Sequence, residues 1–312
     1  MEKRKISILI ACYNEEGNVG PLAKDIVKEM EHSLSQYDYE IIFIDNASTD
    51  NTRPLLRILC NENTRIKAIF NARNFGSLNS GFYGLLQTSG DCTIKMCCDF
   101  QDPVEMIPEM VKLWEQGHKI VTCIKKSSDE NRMMKSLRSF YYKTIRKMSS
   151  VDQIENYTGF GLYDKSFINV LRELKDPIPF LRGIVAELGY KRISLYYDQP
   201  KRRSGKSNYG LYRLFDVAML SFTSYTKVGL HMITLVGIGM SLLSLLAAII
   251  YFVYKLLYWD RFSTGLAPLV IGMFFFNAIE LLFIGLVGEY VMSINTRVMN
   301  RPLVIEEERI NF

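Results

Sequence analysis

The chain has 312 residues, of which 48% are hydrophobic, and its formal net charge is +5. This length suits one domain with an additional segment. The sequence contains neither a G-x-G-x-x-G fingerprint nor a P-loop, which disfavours a dinucleotide oxidoreductase and a P-loop NTPase. The six cysteines all lie in the first half of the chain and lack the paired spacing of a zinc site. We therefore expect reduced core thiols.

Short apolar strands alternate with amphipathic helices in the N-terminal part. Strands are predicted over residues 6–12, 39–45, 66–71, 93–98 and 119–124, and helices over 21–36, 52–60, 78–88 and 104–116. This alternation is typical of an α/β domain whose mainly parallel sheet is covered by helices on both faces. The first strand follows Met1 closely, without a secretory leader, so we expect residues 1–200 to form a cytoplasmic domain.

Polar side chains follow the first four predicted strands. They are Tyr13, Asn14 and Glu15, then residues 45–50, then Arg73 and Asn74, and then Asp99 and Gln101. In an open α/β sheet, ligands bind outside the carboxyl ends of the strands. We expect these four clusters to meet along one edge of the sheet, although residues 45–50 alone would also suit an ordinary turn or helix cap.

Asp99 comes directly after an apolar run and is the strongest single candidate. Mg²⁺ is commonly held by one or two carboxylates together with phosphate oxygens of the substrate. Asp99 is therefore a candidate metal ligand if the substrate is a diphosphate. Residues 99–103 also suit a turn in which Asp102 caps the next helix and Pro103 occupies its first position. We expect Asp99 to bind the ion and Asp102 to cap the helix.

Two basic stretches follow the α/β pattern. Residues 133–148 form a basic, aromatic helix that suits either a solvated face or a membrane surface. Residues 201–227 comprise a cationic loop and an amphipathic juxtamembrane helix. That loop could supply juxtamembrane charge, or it could close over phosphates, because Gly205 and two hydroxyl side chains suit such a loop. The residues alone leave both readings open.

Two apolar stretches near the C-terminus predict membrane spans. Residues 228–254 contain no Asp, Glu, Lys or Arg, and residues 266–294 are nearly as apolar. Each is long enough to cross a hydrocarbon layer of roughly 30 Å. The cationic excess lies outside the short connection between them, so the positive-inside rule places both termini in the cytoplasm. We expect a two-helix hairpin over 228–294 in the cytoplasmic (inner) membrane and a cytoplasmic tail over 295–312.

Six short segments resemble glycosyltransferase family 2 enzymes of the polyprenyl-phosphate type. They are residues 10–16, 45–50, 73–76, 99–103, 180–183 and 202–207, in this order and followed by the two apolar stretches. The resemblance covers essentially the whole chain and implies a GT-A (Rossmann-like) fold. It implies inverting transfer of a hexose or N-acetylhexosamine from a nucleotide diphosphate sugar, which we expect to be a UDP-sugar, to polyprenyl phosphate. We expect the acceptor to be undecaprenyl phosphate, and we expect the reaction to serve the modification of cell-envelope glycans.

The resemblance also assigns roles to individual residues. The catalytic residues would be Asp99, Gln101 and Arg202, with Asp99 and Gln101 also holding the metal, Mg²⁺ or Mn²⁺. The nucleotide-sugar site would comprise Ala11, Tyr13, Glu15, Asp45, Asn46, Cys97, Lys206 and Ser207. The acceptor phosphate would meet Lys135, Arg138 and Arg182. Arg202 and Lys206 would close over the donor phosphates.

The implied partners are the nucleotide sugar, the polyprenyl phosphate lipid and the membrane, with no nucleic acid. Family members tend to assemble, so we expect a homo-oligomer, for which a tetramer is one candidate form. Glu280 and Asn277 share one face of the second apolar stretch, and a charged side chain there costs roughly 2.5 to 3.5 kcal/mol. Glu280 should therefore face another helix, either in a second subunit or in the first apolar stretch of the same chain.

Several positions depart from the family pattern. Cys97 stands in place of the first carboxylate of Asp-x-Asp, and Asn46 stands in place of a second Asp. The motif Gly-Asp-Phe-Arg falls on Thr158-Gly159-Phe160-Gly161, which removes an acid and a base. These departures favour one alternative, a non-catalytic GT-A membrane scaffold. A processive polysaccharide synthase is a further alternative, opposed by the two spans and the absence of a Gln-x-x-Arg-Trp signature.

Overall fold

The structure is a computed structural model that describes residues 3–126, 154–200, 202–203 and 266–312, together with single residues and short runs between 219 and 257. The strands are β1 (Lys5–Cys12), β2 (Asp38–Asp45), β3 (Ile66–Asn71), β4 (Cys92–Cys97), β5 (Ile120–Lys125), β6 (Tyr157–Asp164), β7 (Arg192–Tyr197) and β8 (Glu306–Ile310). The α-helices are α1 (Val19–Ser33), α2 (Thr52–Glu62), α3 (Ser77–Leu86), α4 (Ile107–Glu115), α5 (Lys165–Leu174), α6 (Leu181–Glu187) and α7 (Leu266–Met299).

These strands form one mixed sheet in the order β7-β5-β6-β4-β1-β2-β3-β8. Strands β4, β1, β2 and β3 are parallel neighbours, as the alternating pattern predicted. Strand β6 runs antiparallel to β4 and β5, and β8 runs antiparallel to β3. The α/β class is confirmed. Strand β7 runs parallel to β5, so the sheet is mainly parallel as predicted, and β6 and β8 are its antiparallel strands.

The central strands are apolar on both sides because helices cover both faces of the sheet. Leu9 of β1 packs in a cluster with residues of α3, α5 and α6, whereas its neighbours Ile8 and Ile10 pack in a second cluster with residues of α1, α2 and α4. The side chains of Ile8, Leu9 and Ile10 are all fully buried. The alternation of side chains along β1 therefore serves two separate cores, one on each face.

The C-terminal segment returns to the sheet. Strand β8 pairs with β3 from Ala68 to Asn71, and Arg57 of α2 forms an ion pair with Glu308 of β8. The sequence analysis predicted only a tail here. Glu306, Glu307 and Glu308 make this strand strongly charged. Such a strand is suited to the edge of a sheet, where charged side chains remain in solvent.

Among the described residues, one helix is long and apolar enough to cross a membrane, over Phe275–Met299 within α7. It coincides with most of the second predicted span. The first predicted span lies largely outside the described residues, and its described members between 235 and 253 are helical. The two-span hairpin therefore stays a prediction. The predicted helix over 133–148 and most of the 201–227 segment lie outside the described residues.

Candidate active site

The loops that follow β1 and β2 are joined by hydrogen bonds. The Asn14 backbone N–H donates to Ser48 Oγ at 2.8 Å, and the Thr49 N–H donates back to Asn14 Oδ1 at 2.8 Å. The Glu15 N–H donates to Thr52 Oγ1 at 2.8 Å. The polar clusters predicted after the first two strands therefore meet at one edge of the sheet.

Asn46 links these loops to the end of β3. Its Oδ1 accepts from Asn71 Nδ2 at 3.1 Å and from the Phe75 N–H at 2.9 Å, while its Nδ2 donates to Asn74 Oδ1 at 2.9 Å. The side chain is almost fully buried. The amide thus holds three segments together, and a direct contact of Asn46 with a nucleotide stays a prediction.

Asp45 is fully buried and has a cationic partner that the sequence did not reveal. Its Oδ2 lies 2.7 Å from Arg53 Nε and accepts from the Ser48 N–H at 3.1 Å. Arg53 also donates to the Asn71 carbonyl oxygen at 2.6 Å and to Glu307 of β8 at 2.8 Å. Arg53 lies in the first turn of α2, eight residues after Asp45, and only its position on that turn could have indicated the contact.

Asp99 follows β4 in a tight turn. Phe100 adopts a positive φ of 61°, and the Gln101 N–H donates to Asp99 Oδ1 at 3.2 Å. Asp99 is 9% exposed. The Arg203 N–H donates to the Asp99 carbonyl oxygen at 3.5 Å, and its guanidinium lies 5.0 Å from the centroid of the Phe100 ring. These contacts bring the start of the predicted cationic loop to the end of β4.

Arg202 joins two carboxylates at this point. Its Nη2 lies 2.9 Å from Glu15 Oε1 and 3.4 Å from Asp99 Oδ2. Its Nε is buried and has no hydrogen-bond partner among the described residues. Glu15 Oε2 also accepts from Asn18 Nδ2 at 2.5 Å. We call Glu15, Asp99 and Arg202 the carboxyl-end cluster.

Among the described residues, the carboxyl-end cluster has two carboxylates but only one cation. Burial raises the pKa of Glu15, and this effect outweighs the hydrogen bond from Asn18 and the attraction of Arg202, which both lower the pKa. The Asp99 charge also raises it. One arginine therefore serves two neighbouring carboxylates, and an additional positive charge at this position would be favourable.

Asp102 does not cap the following helix, so that prediction is wrong. The side chain is 3% exposed and turns inward, where it accepts from the Cys97 N–H at 2.8 Å and from the Tyr197 hydroxyl at 3.1 Å. The turn that begins at Val104 has no side-chain cap. Asp102 instead satisfies two buried donors and fastens the end of β4 to β7. Burial raises its pKa.

The described residues contain no group of three or more His, Cys, Asp and Glu side chains that could hold a metal alone. Asp99 supplies one carboxylate in a cluster that already requires a cation. This donor set fits a hard divalent ion that takes its remaining ligands from substrate phosphates and water.

The remaining predicted site residues divide into three groups. Cys97 is exposed and pairs in register with Ala11, which is half-buried like Tyr13. Arg182 of α6 donates to the Tyr157 carbonyl oxygen at 3.4 Å and makes no hydrogen bond or ion pair with the carboxyl-end cluster. The residues outside the described part of the chain are Lys135, Arg138, Lys206 and Ser207.

Gly159 and Gly161, where the family motif carries an acid and a base, have distinct surroundings. A Cβ atom at Gly161 would lie 2.2 Å from the Val121 carbonyl oxygen, so the β5–β6 pairing leaves no room for a side chain there. Gly159 has a φ of 97°, a conformation that L side chains rarely adopt. The backbone of β6 therefore favours glycine at both positions.

Residues 7–171, more than half of the chain, match the model of glycosyl transferase family 2. The protein belongs to this family and is a transferase with an α/β GT-A, Rossmann-like fold. It is 28% identical to the glycosyltransferase YkcC of Bacillus subtilis, over 97% of this chain and 93% of the relative. It is also 28% identical to the prophage-derived bactoprenol glucosyl transferase of Shigella flexneri, over 96% and 97%. The crystal structure of Staphylococcus aureus TarS 1–349 with UDP-GlcNAc has a TM-score of 0.47 and 16% identity, over 71% of this chain and 67% of that one.

Proposed function

We propose that this protein transfers a sugar from a nucleotide diphosphate sugar, with UDP as the expected nucleotide, to a polyprenyl phosphate at the cytoplasmic face of the membrane. The observation that carries the proposal is the carboxyl-end cluster, in which Asp99, Glu15 and Arg202 meet outside the parallel strands. Similarity to bactoprenol glucosyl transferases over nearly the whole chain supports the acceptor class. Undecaprenyl phosphate is the acceptor we expect.

The carboxyl-end cluster suits a diphosphate for two reasons. Its arginine can turn from a carboxylate to a phosphate, and its Asp99 carboxylate can hold a metal ion. Arg202 reaches Glu15 and Asp99 through one nitrogen, which leaves the rest of its fork for phosphate oxygens. Asp99, with Gln101 beside it, would hold Mg²⁺ or Mn²⁺. The bound ion would supply charge neutralisation for the leaving diphosphate.

The transfer needs no protein base. A phosphate monoester has a second pKa near 6 and is largely dianionic at neutral pH. One of its oxygens forms a bond to the anomeric carbon while the bond from that carbon to the diphosphate breaks, and the electron pair leaves with the nucleoside diphosphate. The configuration at the anomeric carbon is inverted. The task of the protein is to align the two phosphates, so the loss of a carboxylate at Gly159 is compatible with turnover.

The remaining chain would provide the nucleotide subsite and the membrane anchor. We propose that Tyr13, Glu15, Asp45 and Asn46 hold the nucleotide, because their loops meet at the same edge as Asp99. Residues 228–294 would form the two-span hairpin. In α7 the apolar part continues to Met299, and Arg297 forms an ion pair with Asp176 of the sheet domain at 2.8 Å. The end of the membrane helix would therefore be held against the catalytic domain.

The test is to incubate membranes containing the protein with a panel of labelled nucleotide sugars. We expect at least one donor to yield an acid-labile labelled lipid in the presence of Mg²⁺ or Mn²⁺. Membranes carrying Asp99→Ala protein provide the matched control. If no donor labels a lipid above that control, the non-catalytic scaffold replaces the transferase.

We further propose a homo-oligomer, with a tetramer as one candidate form, held partly by α7. Asn277 and Glu280 are exposed in the single chain. A groove of about 430 Å³ beside Glu280 is lined by Gly237 and Met240, which represent the alternative neighbour within the same chain. Replacing Asn277 and Glu280 together by Leu should reduce the assembled mass in nanodiscs. A monomeric wild type, or a fully assembled double variant, would refute this interface.

A further inference from the structure

Lys95 is a cation inside the sheet domain that neither the family motifs nor the carboxyl-end cluster includes. It lies on β4, in register between Leu9 of β1 and Gly161 of β6. Alternate side chains of a strand share one face, so Lys95 and Cys97 point to the same side of the sheet. Lys95 is half-buried and Cys97 is exposed. The Lys95 side chain therefore lies on the same face of the sheet as Cys97, the exposed residue at the end of β4.

The Lys95 side chain is bordered by glycines. A Cβ atom at Gly159 would lie 3.5 Å from Lys95 Nζ, and one at Gly81 would lie 3.3 Å from Lys95 Cε. Both values show close approach without an intervening side chain. The ammonium group thus lies beside bare backbone on β6 and α3.

Lys95 has no counter-charge in direct contact, and the carboxylate that it attracts at longer range is the buried Asp102. In the described part of the chain it forms no hydrogen bond and no ion pair, whereas Lys5, Lys67 and Lys119 each contact a buried or half-buried carboxylate within 3.1 Å. A half-buried ammonium without an acceptor loses hydration without compensation. An anion beside Lys95 would supply that compensation.

A second cation contacts the same backbone segment. Arg182 of α6 donates to the Tyr157 carbonyl oxygen at 3.4 Å, and Leu181 Cδ2 would lie 3.8 Å from a Cβ atom at Gly159. Among the described residues, Arg182 forms no ion pair with a carboxylate either. Lys95 of β4 and Arg182 of α6 therefore both approach residues 157–159.

We propose that Lys95 binds the phosphate monoester of the acceptor, together with Arg182, beside Gly81 and Gly159. This inference rests on the proposed function, since it assigns the acceptor subsite of the same reaction. It also explains why position 159 is a glycine. A carboxylate at position 159 would lie against the Lys95 ammonium, neutralise it and repel a phosphate dianion. Glycine leaves that charge available to the acceptor.

The first test compares Lys95→Met and Lys95→Arg with Lys24→Met, a control at an exposed lysine of α1. Kinetics are measured on the full chain with a short-chain polyprenyl monophosphate as acceptor. We expect Lys95→Met to raise the acceptor KM by about tenfold or more, the scale of one lost charge-assisted hydrogen bond, while the donor KM stays within about twofold. Lys95→Arg should recover part of the loss. An unchanged acceptor KM, or an equal rise in both KM values, would overturn the inference.

The second test does not depend on turnover. The readout is protection of the purified full chain from thermal unfolding, measured without any donor. We expect the same short-chain monophosphate, and inorganic phosphate more weakly, to raise the melting temperature of wild type and Lys24→Met but not of Lys95→Met or Lys95→Gln. Equal protection in all four proteins would overturn the inference.

Together the two tests separate the inference from the function. Lys95-dependent protection without product from any donor would retain the anion site and reject the transferase. Product formation at the wild-type acceptor KM in Lys95→Met would retain the transferase and reject the role of Lys95.

Discussion

Two clusters of buried carboxylates and cations lie at opposite ends of the same sheet. At the amino ends of the strands, Glu40 of β2 is 1% exposed and contacts Lys5 and Lys67 at 2.9 Å each. It also accepts from Ser7 Oγ at 2.6 Å and from the Ser89 N–H at 2.8 Å. We call these residues the amino-end cluster. At the carboxyl ends, Glu15 and Asp99 share the single guanidinium of Arg202.

The two clusters differ in how completely their charges are satisfied. At Glu40, burial opposes ionisation, but the hydrogen bonds from Ser7, Lys67, Lys5 and Ser89 prevail and lower its pKa to about 2. At Glu15, burial prevails and raises the pKa, and in the described part of the chain Arg202 Nε lacks a hydrogen-bond partner. A complete cluster stabilises the fold, whereas an incomplete one retains capacity for a ligand. The comparison predicts that changes at the amino end affect stability and changes at the carboxyl end affect activity.

The largest effect should come from Asp99→Ala. Loss of the carboxylate removes the proposed metal ligand, and we expect transfer to fall by about 10²- to 10³-fold, the scale seen when one electrostatic stabiliser is removed. The melting temperature should stay near that of wild type. Cys97→Ser is the matched neighbour, and its effect should be mild. Wild-type turnover by purified Asp99→Ala protein with added Mg²⁺ or Mn²⁺ would place the metal elsewhere.

Glu40→Gln should give the largest loss of stability. Removing this charge leaves Lys5 and Lys67 uncompensated beside a buried site, and the expected loss in unfolding free energy is about 3 kcal/mol. Denaturant unfolding measures it. Donor KM at a temperature where the variant is folded should not change. A variant with wild-type stability would show that the amino-end cluster contributes little to the fold.

The same residue predicts a pH dependence. The pKa of Glu40 is about 2 in the folded protein, below its ordinary value of 4.5. Its contribution is therefore fully present above about pH 4.5 and is lost as the pH falls towards 2. Unfolding free energies measured across this range should decrease more steeply for wild type than for Glu40→Gln. Parallel curves would contradict the assignment.

Arg202→Ala should chiefly weaken use of the donor. A charge-assisted contact with a phosphate is worth roughly 1.5 to 3 kcal/mol, so kcat/KM for the nucleotide sugar should fall by about 10- to 150-fold. Arg202→Lys should recover part of the loss, because lysine retains the charge without the planar fork. If Arg202→Ala loses membrane attachment while the donor kinetics are unchanged, the loop serves as juxtamembrane charge.

The smallest effect should be that of Tyr197→Phe. This change removes the hydroxyl that donates to Asp102 and leaves the Cys97 N–H as the remaining donor. We expect a loss of about 0.5 to 1.5 kcal/mol in unfolding free energy. Donor and acceptor KM values should change by less than about twofold. A large fall in activity with intact stability would show that β7 positions Asp99.

The sequence predicted the parallel half of the fold and the meeting of the loops after β1, β2 and β4. These predictions succeeded because apolar periodicity and turn residues are local signals. Asp102 was misread because a cap and an inward-facing acceptor share the same local pattern. The contacts of Arg202 with Glu15 and of Arg53 with Glu307 join residues 187 and 254 positions apart, and no local pattern encodes them. Lys95 was missed because a lysine on an apolar strand carries no motif.

The central claim is that the carboxyl-end cluster holds a nucleotide diphosphate, and calorimetric titration of the purified full chain with UDP and GDP tests it most directly. We predict that one of them binds with Mg²⁺ or Mn²⁺, that Asp99→Asn weakens this binding by tenfold or more, and that folded Glu40→Gln binds like wild type. Binding that is equally strong in Asp99→Asn, or the absence of binding for both nucleotides in wild type, would contradict the account.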